Sequence, residues 1–135
     1  MTLRRKSREC ALQMLFQWEM NHESAEKVER SFWKSARAAE STRQFANELF
    51  EGALSQAEEN DKIYEKLSKN WRIERMAEID RGILRLAIYE LRSSTAPVKV
   101  VIDEALELAK KFSTAEAAPF INGILDSAAK SIAPE

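Results

Sequence analysis

The sequence predicts an all-α fold, and three observations carry that reading. Glycine and proline are scarce, with three of each in 135 residues. Strand-like alternation is confined to the brief run VKVVI at 98–102. Elsewhere apolar residues recur at the three- and four-residue spacing of a helix face. With 44% hydrophobic and 32% charged residues, the composition is that of one globular domain, residues 1–135, long enough to bury a core.

The elements follow in chain order. A first helix, about Arg5 to Met20, is apolar around most of its circumference through Ala11, Leu12, Met14, Leu15, Phe16 and Trp18. At 100° per residue, Lys6, Gln13 and Gln17 fall within about 40° of one another and form its polar strip. A second helix carries Val28, Phe32 and Trp33. A third starts near Thr42 with Phe45, Leu49 and Ala53 and, after a break near Asn60, continues through Ile63 and Leu67. The pair Asn70-Trp71 marks a midpoint between an N-terminal half, about 1–70, and a C-terminal half, about 71–135. Ile73, Met76, Ile79, Ile83, Leu84, Ala87 and Leu91 then outline a helix ending near Ser93, followed by the loop SSTAP. Val98, Ile102, Ala105, Ala109 and Phe112 step by four and three along the next helix, and Ile121, Ile124, Leu125, Ala128 and Ile132 mark the last.

Composition excludes several classes of function. No apolar run approaches the roughly 20 residues of a membrane span. No apolar signal-peptide core follows the basic N-terminus, so a cytoplasmic protein is expected. Cys10 is the single cysteine, which excludes an internal disulfide and argues against a cysteine-based zinc site. His22, the single histidine, falls in the NHES connection as a solvated loop residue, and the isolated glycines form no phosphate loop. EALELAKK at 104–111 reads as a charged helix face with Glu107 and Lys111 at i and i+4. No catalytic residue, metal or cofactor is expected.

Two features do not fit an ordinary helical surface. Arg4, Arg5, Lys6 and Arg8 crowd the start of the first helix, where the macrodipole disfavours each cation by roughly 0.3 to 1 kcal/mol. Net charge is only −1, so a polyanion would meet a local patch. Phe120 points about 100° away from the apolar stripe of the last helix, at the edge of its buried face. Aromatics placed this way either pack against a neighbouring helix or stack the splayed bases of single-stranded RNA.

RRKSRECALQMLFQWE at 4–19, DRGILRLAIYEL at 80–91, and VKVVIDEALELAKKFS followed by PFINGILD across 98–126 together resemble the NusB family of bacterial transcription antitermination factors. The resemblance spans nearly the whole chain and is weakest between residues 21 and 70. It implies a helical bundle of two three-helix halves packed together and a protein without enzymatic activity. Its partners would be the boxA RNA of nascent ribosomal transcripts, the ribosomal protein NusE, and the RNA polymerase antitermination complex.

The family's arginine-rich motif falls on Arg4, Arg5, Lys6 and Arg8, its RNA-stacking aromatic on Phe120, and a further RNA-contacting acid on Glu116. Its NusE surface falls on Phe16 and Asp80. Three positions depart from the family pattern: Phe16 lacks the hydroxyl of a common tyrosine, Asp103 replaces a common asparagine, and Pro119 replaces an often basic residue. Two other readings of the same resemblance stand beside this one. A NusB-like domain also forms the N-terminus of some ribosomal RNA cytosine methyltransferases, which would require a chain continuing past Glu135. A homodimeric interaction module would pair through the Trp33 region or the aromatic face of the first helix.

Overall fold

The computed structural model describes residues 3–67, 76–93 and 96–132, which form seven α-helices and no strand among the described residues. They are α1 (Leu3–Asn21), α2 (Ala25–Ser35), α3 (Glu40–Ser55), α4 (Ala57–Leu67), α5 (Glu78–Ser93), α6 (Val98–Phe112) and α7 (Ala117–Ile132). The midpoint at Asn70-Trp71, the core position Ile73, Ser94 and Thr95 of the SSTAP loop, and the side chains of Leu67 and Ile132 lie outside the described residues.

Local signals account for the boundaries. Ser24 caps α2, its Oγ accepting from the Lys27 N–H at 3.2 Å. Pro97 stands immediately before α6, and Lys110 and Lys111 occupy its last turn, where the dipole favours cations. His22 ends α1 with φ 55, donating its N–H to Trp18 O at 2.7 Å. It is exposed, as expected, but does the work of a helix terminus.

Two expectations are corrected. The third helix breaks at Gln56, not near Asn60, so one expected helix becomes α3 and α4. Asn60 lies inside α4, fully buried, with its Oδ1 accepting from Arg92 Nη1 at 2.6 Å. On α6 the buried residues are Val101, Ala105, Leu108 and Ala109, while Val98 is 43% exposed. The buried arc is rotated by roughly 40° from the expected stripe, because α6 packs against both α5 and α7.

α1 and α5 hold the fold together. α1 packs on α2, α3 and α5, and α5 in turn on α3, α4, α6 and α7. Gly82 lets the two approach closely: a Cβ there would sit 2.9 Å from Leu12 Cδ1. Leu12, Met14, Phe50, Ile83, Leu84, Ile88, Ile121 and Leu125 form the centre of the core. Cys10 belongs to it as a small apolar side chain, its thiol pushed up by burial and so unreactive. Arg85 clamps α5 to two helices, donating Nη1 to Glu19 Oε1 on α1 at 3.0 Å and Nε and Nη2 to the Asp61 carboxylate on α4 at 3.0 and 2.8 Å.

Between α2 and α3 the packing is less neutral. Glu29 Oε2 is buried and accepts no hydrogen bond among the described residues. Burial, the hydrogen bond with Glu51 and the charges of Glu51 and Glu26 push the Glu29 carboxyl up to about 8. Its folded value thus exceeds the unfolded value of about 4.3. The neutral acid's contribution is complete below that value and is lost as pH rises through the folded value. Urea unfolding from roughly pH 5 to pH 8 should show the wild-type midpoint declining and that of Glu29→Gln staying flatter; parallel curves would refute the assignment.

Candidate nucleic-acid interface

The four cations at the start of α1 do not share one environment. The Arg4 guanidinium leans toward α3, 3.8 Å from the centroid of the Phe45 ring. Arg5 leans toward α6, donating Nε and Nη2 to the two oxygens of Glu104 at 3.1 and 2.8 Å. These bonds raise the Arg5 guanidinium and hold the Glu104 carboxyl below the usual carboxylate range. The Glu104 contribution to stability is therefore present above its unfolded value of about 4.3 and lost as pH falls. Lys6 is exposed and pairs with no carboxylate among the described residues.

Arg8 departs from the expected phosphate-gripping row. It is 7% exposed, and its Nε donates to both carboxylate oxygens of Glu90 on α5 at 2.8 Å. Its Nη1 also lies 3.8 Å from Glu104 Oε1. The physical reason is helical phase: Arg8 sits about 160° around the helix from Lys6 and faces inward. Glu90 and Glu104, both missed as partners by the sequence reading, thus supply anions for half of the cluster. Glu90 had a legible signal, lying seven residues beyond Ile83 on the apolar stripe of α5, where a carboxylate needs a buried cation.

The same side of the molecule carries a second correction. Lys111 does not pair with Glu107; its Nζ donates to Glu9 Oε1 on α1 at 3.0 Å, while Lys110 lies 3.5 Å from Glu107. Arg5–Glu104 and Glu9–Lys111 therefore bridge α1 to α6 at two points that follow the same chain order on both helices. α6 then leads through Ser113 to Glu116 into α7.

Glu116 is exposed in that turn, and Phe120, in the first turn of α7, is half-buried against the rim of the core. The turn is fastened by Asp80, whose Oδ1 accepts from Ser113 Oγ at 2.6 Å. Asp80, expected on a different surface, thus lies beside the segment that carries Glu116. Phe16 is 40% exposed and Met20 57%, one helical turn apart on α1. The sequence reading gave Met20 no role, although its spacing from Phe16 continues the same apolar face.

Among the described residues no three histidine, cysteine, aspartate or glutamate side chains gather as metal ligands. None of the described helices is long and apolar enough to cross a membrane. What the N-terminal end of α1 offers is a pair of exposed cations, Arg4 and Lys6, held beside two internally neutralised ones. Removing one partner of a buried ion pair costs about 3 to 5 kcal/mol, whereas replacing both by apolar groups is far milder. Denaturant unfolding should show Glu90→Leu losing about that much, with Arg8→Met plus Glu90→Leu recovering most of it; equal losses in both would refute the pairing.

Comparison with known proteins places this architecture. The profile of the NusB family matches residues 5–130. The transcription antitermination protein NusB of Koribacter versatilis (strain Ellin345) is 49% identical over 134 residues, covering 98% of this chain and 92% of that protein. NusB of Anaeromyxobacter dehalogenans (strain 2CP-1) is 41% identical over 136 residues, covering 99% and 96%. Among solved structures, T. maritima NusB superposes with a TM-score of 0.88 at 32% identity, covering 98% of this chain and 94% of its own. A chain of the antitermination factors NusB and NusE in complex with double-stranded RNA superposes with a TM-score of 0.87 at 27% identity, covering 97% and 98%. These relatives are non-catalytic transcription factors, and by sequence and fold alike this chain belongs to the NusB family.

Proposed function

We propose that this chain is a cytoplasmic antitermination adaptor that binds the boxA RNA of nascent ribosomal transcripts together with NusE, and so joins the antitermination complex on RNA polymerase. The observation that carries the proposal is the exposure of Arg4 and Lys6 at a helix N-terminus already electropositive, next to Arg5, which is itself partly exposed. Phosphates supply the anions this end lacks. The likeness to a NusB solved with NusE and double-stranded RNA supports the choice of partners.

In this reading Arg4, Lys6 and Arg5 hold the RNA backbone, and Arg8 positions them from inside. Glu116 and Phe120 lie along the same path, Phe120 offering its exposed part to a base and Glu116 accepting from base or ribose donors. Phe16, Met20 and Asp80 form the NusE-docking face on α1 and the start of α5. The chain divides near Trp71 into two halves that meet across α1 and α5.

The test is titration of a boxA-like single-stranded RNA, with and without NusE, across salt concentrations. Lys6→Ala should lower the slope of log affinity against log salt by about 0.7, the value for one phosphate contact on a single strand. Phe120→Ala should weaken binding by the roughly 1 to 3 kcal/mol of one stacked base. Equal affinity for an unrelated RNA, or no loss in either variant, would overturn the proposal.

A further inference from the structure

The gap between α1 and α3 is an open cleft of about 410 Å³, within the roughly 300 to 1,000 Å³ of small-molecule sites. Arg4, Ser41, Gln44, Phe45 and Glu48 line it. Its floor is fixed, because Ser7 Oγ donates to Thr42 O at 2.9 Å and binds the two helices together beneath it. One wall is the Arg4 guanidinium over the Phe45 ring at 3.8 Å. Ser41, Gln44 and Glu48 are exposed polar side chains that flank Phe45 along the same face of α3 and give the cleft a polar wall.

We propose that this cleft is a nucleotide subsite, in which one RNA base stacks on the outer face of Arg4 and extends the Phe45–Arg4 pair into a three-layer stack. The inference rests on the RNA-binding reading above, and the cleft is continuous with that surface because Arg4 belongs to both. Bases stack on guanidinium planes as well as on aromatic rings, and the cation–π contact with Phe45 at 3.8 Å holds the Arg4 guanidinium in place for this purpose. The polar wall selects among bases. The Glu48 carboxylate accepts from the N1–H and exocyclic amino group of guanine and meets only carbonyl oxygens and a lone N3–H on uracil, so a guanine is preferred. A carboxylate there also excludes a phosphate from the depth of the cleft, which leaves the backbone to Lys6 and the outer edge of Arg4.

The experiment is an abasic scan of a boxA-like RNA against the wild type, Phe45→Leu and Glu48→Gln, with thermal unfolding to verify that each variant folds. Phe45→Leu keeps an apolar side chain against the core while removing the ring. In the wild type, one abasic position other than that sensed by Phe120 should weaken binding by about 5- to 160-fold, the range of one stacked base. In Phe45→Leu the same position should cost less than about twofold, the mark of an interaction already lost. Glu48→Gln should erase the preference for guanine over uracil at that position. If the abasic penalties and base preferences are the same in all three proteins, while binding still depends on Lys6 and Phe120, the subsite is refuted and the RNA-binding reading stands. If the wild type binds no RNA, both fail.

Discussion

The buried pair between Arg8 and Glu90 sets the geometry of everything around it. A guanidinium and a carboxylate, 7% and 2% exposed, meet at 2.8 Å between α1 and α5, the two helices on which the others pack. Such a pair contributes little net stability over an apolar replacement, but it fixes position, since sliding either helix would leave a buried charge unmatched. Because Arg8 is locked, its neighbours on α1 are locked in phase. Arg4 is directed to α3, Arg5 to α6 through Glu104, and Lys6 to solvent.

This arrangement resolves the electrostatic problem at the start of α1 by division of labour. Arg8 and Arg5 find anions inside the protein. Among the described residues Arg4 and Lys6 meet no carboxylate, and their charge stays available to an external polyanion, at a helix end whose dipole adds to it. A net charge of −1 is compatible with the proposed RNA binding on these terms, since a local patch and not the whole surface would meet the phosphates. In the proposed reading the RNA path continues from this end past α6 to the turn fastened by Ser113 and Asp80. The proposed RNA and protein surfaces therefore adjoin, and occupancy of one would bear on the other through a single hydrogen-bonded turn.

Much of the fold was legible because helices announce themselves locally. The scarcity of glycine and proline, the apolar spacing, and the Pro97 boundary were enough for all the helices except the α3–α4 division, where the turn at Gln56 carries no breaking residue, and the start of α5, which begins at Glu78 and leaves Met76, expected on that helix, in the bend before it. Side-chain partners were less legible, since they depend on how helices cross. Glu104 read as part of a solvated face and is instead the ligand of Arg5, and Lys111 reaches across to Glu9 in place of its neighbour Glu107. Val98 read as core because spacing gives the period of a stripe but not its exact phase when two neighbours share it. The cation cluster was identified as a unit, but the inward turn of Arg8 required knowing that α5 presents Glu90 opposite.

The central claim is that the basic end of α1 is half framework and half binding surface. The most direct test is the salt dependence of RNA binding in the Arg8→Met plus Glu90→Leu protein. The account predicts a slope equal to that of the wild type, because no phosphate contact has been removed. A slope reduced by about 0.7, the signature of one lost contact on a single strand, would contradict it and return Arg8 to the surface that meets the RNA.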